Sequence, residues 1–172
     1  YDNNVTIEVC LGLRPWQFIN HIPGTYVISR KIDLARNIER MQKVLPELFT
    51  FHPKSFIVPA QNLDLQQYMT SATLKNKTFI IKPDLGSQGK GIYLIQDPED
   101  VIYIDEMAIA QQYIAPHLLN GYKFDLRIYV LVSSIDPLRI YTFREGMARF
   151  CTEPYKRPRA GNLDQIYRHL TN

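Results

Sequence analysis

The sequence has few cysteines and no long apolar run, and each absence excludes a class of protein. Its 172 residues include two cysteines, Cys10 and Cys151, far apart in the chain. A disulfide scaffold and a cysteine-rich zinc site are therefore excluded, and a reducing intracellular compartment is expected. No stretch approaches the ~18 to 20 continuous apolar residues of a membrane helix. Residues 1–4 do not resemble a signal or transit peptide.

The charge balance argues against a nucleic-acid-binding protein. Twenty Lys and Arg against 17 Asp and Glu give a formal charge of +3 and a pI of about 8.8. A nucleic-acid binder would show a pI above about 9 and a basic stripe. The mild positive charge is compatible with anionic ligands. A hydrophobic content of 45% and a charged content of 22% are those of an ordinary globular chain.

The spacing of apolar residues predicts an α+β fold with a mostly antiparallel sheet. Residues 34–45 carry one helical stripe, with Asp33 as the expected N-cap and Pro46 as the stop. Shorter helices are expected at 61–71 and 163–170, and Glu145-Gly146 is expected to turn the chain between two strands. Runs of β-branched and aromatic residues predict strands at 56–58, 78–82, 92–95, 108–114, 124–132, 138–143 and 147–150.

One short loop contains Gly86, Gly89, Lys90 and Gly91. Glycines let backbone N–H groups approach phosphate oxygens closely, and the lysine adds positive charge. A P-loop is excluded because Gly91 follows the lysine, and a Rossmann loop because residues 92–95 continue as a strand. The pattern is a strand–loop–strand hairpin, which is either a flap over a nucleotide or a plain flexible hairpin.

Charged residues near this loop favour the flap. Lys82 ends the incoming strand, and Lys123 precedes Asp125 and Arg127, which share one face of the strand 124–132 because strand side chains alternate. Each charge alone is most simply a solvent-facing residue. Together they indicate a site for an anion.

The chain resembles the tubulin tyrosine ligase-like family, which has the ATP-grasp fold. Short motifs in the family's order carry the resemblance over nearly the whole chain. They are NHIPG at 20–24, IKPD at 81–84, GSQGKGI at 86–92, QQYI at 111–114, KFDLR at 123–127, EGMARF at 145–150 and HLTN at 169–172.

This resemblance implies an ATP site. Lys82 would contact the ATP phosphates, and the glycine loop would close over them. Residues 111–114 would be the hinge, a segment that lines the adenine through its backbone groups, while Lys123 and Asp125 would hold the ribose side. Thr171 and Asn172, at the end of the HLTN motif, would close the nucleotide site. The implied cofactor-binding residues are Lys82, Gln88, Gly89, Lys90, Gly91, Gln111, Gln112, Tyr113, Ile114, Lys123, Asp125, Thr171 and Asn172.

The resemblance also implies catalytic roles for Arg127, Arg149 and Lys90. ATP-grasp ligases phosphorylate a carboxylate and let an amine attack the acyl phosphate, so catalysis is mainly positioning and charge stabilisation. Arg127 and Arg149 would hold the transferring phosphate and the carboxylate of the incoming amino acid, because the planar guanidinium suits both groups. Lys90, which lies on the flap, would add positive charge to the site.

Within the family, the run 124–132 looks most like the polyglutamylases, particularly at Ile128-Tyr129. The implied activity is ATP-dependent addition of glutamate to glutamate side chains of tubulin C-terminal tails, with Arg149 pairing with the side-chain carboxylate of the added glutamate. The alternatives are a glycylase or tyrosine ligase of the same family, or a nucleotide- or microtubule-binding pseudoenzyme. Expected partners are acidic tubulin tails and free glutamate, without nucleic acid or membrane, and the expected state is a monomer. The family implies a cytoplasmic, cytoskeletal location, with cilia and basal bodies among its sites.

The resemblance divides the chain into an N-terminal lobe (1–60), a central flap domain (61–115) and the first part of a C-terminal ATP-grasp lobe (116–172). In the family, the Mg²⁺ carboxylates follow the HLTN motif. We therefore expect an ATP-grasp fold truncated before its metal-binding part, with the Mg²⁺ ligands beyond residue 172 and no metal ligand within the chain. We also expect the isolated chain to be inactive as a ligase.

Overall fold

A computed structural model of the protein describes residues 6–71, 77–86 and 88–170, without the side chains of residues 166 and 167. The chain forms two compact units, Tyr1–His52 and Pro53–Asn172. The first unit ends before the expected boundary at residue 60, because strand β1 (Ser55–Val58) pairs within a sheet of the second unit. The regions expected as flap domain and C-terminal lobe both belong to that second unit.

Helices build the described part of the first unit. They are α1 (Ile7–Leu11), α2 (Tyr26–Ser29) and α3 (Lys31–Val44). The expected N-cap role of Asp33 is wrong, since α3 begins earlier and Arg30 holds that position. Asp33 lies instead in the first turn, where the helix dipole favours a carboxylate. Among the described residues of the chain, no helix is long and apolar enough to cross a membrane.

The second unit contains a four-stranded antiparallel sheet. Its other strands are β2 (Phe79–Pro83), β3 (Tyr93–Ile95) and β4 (Ala108–Gln112), and the strand order is β1-β4-β2-β3. The pairing of Phe79 with Ile95 confirms the predicted hairpin on either side of the glycine loop. The helix predicted at 61–71 is confirmed as α4 (Asn62–Thr70), and a 3₁₀ helix (Pro98–Tyr103) follows β3.

One face of this sheet packs on the core, and the other carries polar residues of the candidate site. Phe79 and Ile81 of β2 are 0% and 1% exposed and pack in a cluster with side chains from α4 and the 3₁₀ helix. Because side chains alternate, Lys82 and Gln111 lie on the opposite face of the sheet. The sheet therefore separates the apolar core from a polar surface.

The other sheet of the second unit is dominated by a long ribbon. It consists of β5 (Leu118–Leu119), β6 (Tyr122–Ile135) and β7 (Leu138–Phe150), in the order β5-β6-β7. The predicted turn at Glu145-Gly146 is wrong, because β7 passes through both residues without interruption. Gly146 lies opposite Ile128, and a side chain at Gly146 would collide with the Arg127 carbonyl. The glycine therefore permits close strand approach instead of a turn.

The regular pairing of β6 with β7 is interrupted at two places. The register shifts between Ile128 and Val130 and again between Val132 and Ser134. Leu126 and Ile128, which alternate with Asp125 and Arg127 along the strand, are 61% and 60% exposed. The predicted helix at 163–170 is shorter in the structure, where α5 spans Ile166–His169.

Candidate functional site

Lys82 is held by a short chain of hydrogen bonds across three strands. Its Nζ donates to Oε1 of Gln111 at 2.7 Å, and Nε2 of Gln111 donates to Oγ of Ser55 at 3.0 Å. The Ser55 hydroxyl donates in turn to the Pro53 carbonyl at 2.9 Å. Gln111 lies directly opposite Ser55 in β1 and diagonally from Lys82 in β2, within reach of long side chains. The sheet thus fixes the position of the Lys82 ammonium group.

Lys123 contacts two distant parts of the chain, Tyr113 just after β4 and His169 in α5. Its Nζ donates to the Tyr113 hydroxyl at 3.2 Å and to the His169 carbonyl at 2.5 Å. The same ammonium lies 4.8 Å from the centre of the Tyr113 ring, a cation–π distance. Three motifs predicted to share one site, QQYI, KFDLR and HLTN, therefore meet at the Lys123 side chain.

Two cationic side chains contact the segment 111–114, Lys82 at Gln111 and Lys123 at Tyr113. Burial lowers the pKa of Lys123, and the Lys82 ammonium lowers it further, whereas Cys151 and Asp125 oppose the shift. Like charges in a partly buried space repel each other, and an anion placed between them would relieve that repulsion. The arrangement is therefore suited to a phosphate or carboxylate group.

The buried groups around Lys123 are structural. The Cys151 thiol donates to the Leu170 carbonyl at 3.0 Å, its backbone N–H donates to the Lys123 carbonyl, and burial raises the pKa of the thiol. Burial also raises the pKa of the Tyr113 phenol, so this hydroxyl stays protonated at neutral pH. Cys151 is 5% exposed, whereas Cys10 is only partly buried.

Asp125 and Arg149 form a bidentate ion pair across the ribbon. Nη2 of Arg149 lies 2.7 Å from Oδ2 of Asp125, and Nε lies 3.1 Å from Oδ1. This hydrogen bonding raises the pKa of Arg149. Both side chains keep about a third of their surface exposed (32% each), so a ligand can still reach them. Arg127 lies two residues further along β6, on the same face as Asp125, and is exposed.

The glycine loop contains several residues with positive φ values, a backbone conformation that favours glycine. Gly89 and Gly91 have φ values of 75° and 71°, and Gln88 also has a positive φ of 59°. A side chain at Gly91 would approach Pro83 Cγ to 3.0 Å, so this position combines a left-handed backbone with close packing. Lys90 is exposed on the loop. The predicted flap residues therefore occupy one tight turn beside the end of β2.

In the hinge segment 111–114, two backbone N–H groups bond to other parts of the chain. The backbone N–H of Gln112 donates to the Lys54 carbonyl at 2.9 Å, and that of Tyr113 donates to the Thr78 carbonyl at 2.8 Å. The two carbonyls lie one residue before β1 and β2, the strands that flank β4, so both N–H groups are engaged within the chain. Ile114 lies beyond β4 and is 61% exposed.

Sequence reasoning missed Ser55 and the structural role of His169, because their contacts join residues that are far apart in the chain. The predicted residues Thr171 and Asn172 lie outside the described residues. Within the described part of the chain, no group of three or more His, Cys, Asp or Glu side chains is arranged to hold a metal ion. Asp125 is engaged by Arg149.

Comparison with known proteins identifies the family. A sequence model of the Tubulin-tyrosine ligase family matches residues 11–172. The chain belongs to the tubulin-tyrosine ligase family. It is 49% identical to the Tubulin polyglutamylase TTLL6 of Homo sapiens over 172 residues, covering 99% of this chain and 19% of that protein. It is 45% identical to the Tubulin polyglutamylase TTLL13 of Mus musculus, covering 99% of this chain and 21% of that protein.

A more distant relative agrees with this membership. The chain is 44% identical over 163 residues to the Tubulin polyglutamylase ttll-11 of Caenorhabditis elegans, covering 92% of this chain and 23% of that protein. The chain therefore spans about a fifth of the length of the curated relatives it matches. The tubulin-tyrosine ligase resemblance found in the sequence is confirmed, and the mixed helix and sheet content agrees with the family's ATP-grasp-like fold.

Proposed function

We propose that the protein is an ATP-dependent ligase that adds glutamate to glutamate side chains of tubulin C-terminal tails. The single observation that carries the ATP site is the convergence of Lys82 and Lys123 beside the hinge, the segment 111–114. The names of the relatives, all tubulin polyglutamylases, support the choice of tubulin as substrate and of glutamate as the added amino acid.

The chemistry proposed for the site depends on its cationic groups. Lys82 would bind the polyphosphate, Lys123 would hold the ribose side next to it, and the loop of Gly89 and Gly91 would lie over the phosphates as a flap carrying Lys90. A tail carboxylate takes the γ-phosphoryl group to give an acyl phosphate and ADP. The amine of free glutamate then attacks the acyl carbon, an amide bond forms, and inorganic phosphate leaves. Each step places negative charge on closely spaced oxygen atoms. Lysine and arginine side chains would stabilise that charge.

Arg149 is proposed to select the incoming amino acid. Its guanidinium binds the Asp125 carboxylate in a bidentate geometry, and this pairing supports a role for Arg149 in recognising carboxylates. The side-chain carboxylate of glutamate would bind the same guanidinium, whereas glycine offers no side-chain carboxylate. Asp125 would then orient Arg149 in addition to its proposed place on the ribose side.

The family resemblance implies Mg²⁺ as well as ATP. Among the described residues no three or more His, Cys, Asp or Glu side chains cluster to hold a metal ion, and the proposal keeps the Mg²⁺ ligands beyond residue 172. Proposed partners are the acidic tails of tubulin and free glutamate. A cytoskeletal location follows from that substrate, and cilia and basal bodies remain part of the proposal.

Mass spectrometry of tubulin tails tests the proposed reaction. The full-length protein is incubated with tubulin, ATP, Mg²⁺ and an equal mixture of glutamate, glycine and tyrosine. We expect mass increments of glutamyl residues, and their loss in a Lys82→Ala variant. Glycyl or tyrosyl increments would instead assign another activity of the family. Absence of any increment, in a protein that still binds ATP, would indicate a pseudoenzyme.

A further inference from the structure

The hydrogen-bond chain that ends at Lys82 has a fixed direction. The Ser55 hydroxyl donates its proton to the Pro53 carbonyl, so its oxygen accepts from Nε2 of Gln111. This contact leaves Oε1 of the Gln111 amide facing the Lys82 ammonium at 2.7 Å. If the amide rotated by half a turn, its NH₂ group would face the ammonium, and two donors would oppose each other.

We propose that Ser55 and Gln111 are positioning residues that act on the nucleotide phosphates through Lys82. This inference rests on the proposed ATP site and extends it to a residue, Ser55, that has no place in the predicted motifs. Ser55 selects the orientation of the Gln111 amide, and the amide fixes the ammonium where β2 ends beside the glycine loop. A lysine held in this way loses less side-chain freedom when a phosphate binds.

The arrangement also gives Gln111 a role different from the backbone contact to adenine expected from the sequence. Its side chain lies on the face of the sheet that carries Lys82, and it is partly buried by these contacts. A glutamate at this position would add a negative charge beside Lys82 and could not donate to Ser55. The uncharged amide therefore orients the lysine without neutralising the charge that the phosphate requires.

The test compares two ligands, ATP and adenosine, because only ATP carries the phosphates. Dissociation constants are measured for the full-length protein and its variants, by calorimetry for ATP and by competition against a fluorescent nucleotide analogue for adenosine. The variants are Ser55→Ala, Ser55→Thr, which keeps the hydroxyl, and Gln111→Met, which keeps the side-chain length without the amide. Gln66→Met in α4 is the matched control, because the Gln66 side chain also donates one hydrogen bond, to the Pro98 carbonyl at 3.3 Å.

We expect Ser55→Ala to raise the ATP dissociation constant about three- to tenfold, the effect of one hydrogen bond, and to leave adenosine binding unchanged. Gln111→Met should raise the ATP dissociation constant at least as much, again without changing adenosine binding. Ser55→Thr should restore most of the affinity, and Gln66→Met should match the wild type for both ligands.

Two results would overturn the inference. One is wild-type ATP affinity in Ser55→Ala and Gln111→Met. The other is an equal loss of ATP and adenosine affinity, which would show a general structural effect or a direct contact with the base. Failure of the wild-type protein to bind ATP would instead refute the proposed function itself, so the two failures are distinguishable.

Discussion

The Lys123 ammonium donates a 2.5 Å hydrogen bond to the backbone carbonyl of His169, and so joins the start of β6 to the HLTN motif. The two residues are 46 positions apart in the chain. The His169 ring is 1% exposed, and its Nε2 lies 2.8 Å from the Asn162 carbonyl, a contact in which the ring nitrogen donates. Its buried Nδ1 has no hydrogen-bond partner within the part of the chain that the structure describes. The motif histidine is therefore a neutral structural residue that places a carbonyl beside Lys123.

The stability of the protein should fall in mild acid because of His169. Burial lowers the pKa of His169 below its usual 6.5, and nearby Lys123 and Arg168 lower it further, whereas the Asn162 carbonyl and Asp164 oppose the shift. The unfolded chain therefore binds this proton at a higher pH than the folded chain does. Stability should decrease as pH falls below 6.5 and level off below the folded pKa.

Urea unfolding between about pH 7 and pH 5 measures this dependence. A His169→Gln variant should be less stable at neutral pH and show a flatter dependence than the wild type. His21→Gln, at an exposed histidine, is the matched control and should keep the wild-type slope. An unchanged slope in His169→Gln would contradict the buried, neutral histidine.

Replacing Arg149 should separate glutamate use from ATP binding. In Arg149→Ala the proposed contact to the side-chain carboxylate of glutamate is lost, so the KM for glutamate should rise about tenfold or more, the effect of a charge-assisted hydrogen bond. The dissociation constant for ATP, measured by calorimetry, should stay within about twofold of the wild type because the phosphates are assigned to Lys82. Arg149→Lys should recover only part of the loss, since lysine cannot bind a carboxylate in a bidentate geometry. Normal glutamate kinetics in Arg149→Ala would remove Arg149 from the proposed site.

Replacing Gly146 should weaken the ribbon. A Cβ atom in Gly146→Ala would collide with the Arg127 carbonyl in the paired strand, and relieving the collision should destabilise the fold by about 1–3 kcal/mol. Thermal and urea unfolding measure the effect. Gly161→Ala is the control, because nothing lies within 4 Å of a Cβ atom at Gly161. Equal stability of the two variants would show that the strands can separate at Gly146 without loss.

Local sequence patterns predicted the elements that local rules govern. The hairpin around the glycine loop, the strand at 56–58 and helix α4 follow from spacing, turn residues and side-chain shape, and the structure confirms them. The Glu145-Gly146 turn was wrong because glycine serves equally in turns and in close strand contacts. Only the paired strand, which places the Arg127 carbonyl against Gly146, distinguishes the two uses.

The candidate site was predictable only as a set of motifs. Sequence order placed Lys82, Lys123 and Asp125 in one site, but it gave no partner for any of them. The contacts of Lys82 with Gln111 and of Lys123 with His169 depend on strand register and on chain segments 29 and 46 residues apart. Such pairs leave no spacing signal in a single sequence, so Ser55 could not be found before the strands were aligned.

Calorimetric titration with ATP, of the full-length wild-type protein and of Lys82→Ala, tests the nucleotide site most directly. Thermal unfolding of both proteins without ligand checks that the substitution leaves the fold intact. We expect saturable ATP binding by the wild type and none detectable in Lys82→Ala, because the ammonium held by Gln111 is the proposed phosphate contact. Equal ATP affinity in the two folded proteins would contradict a nucleotide site at Lys82.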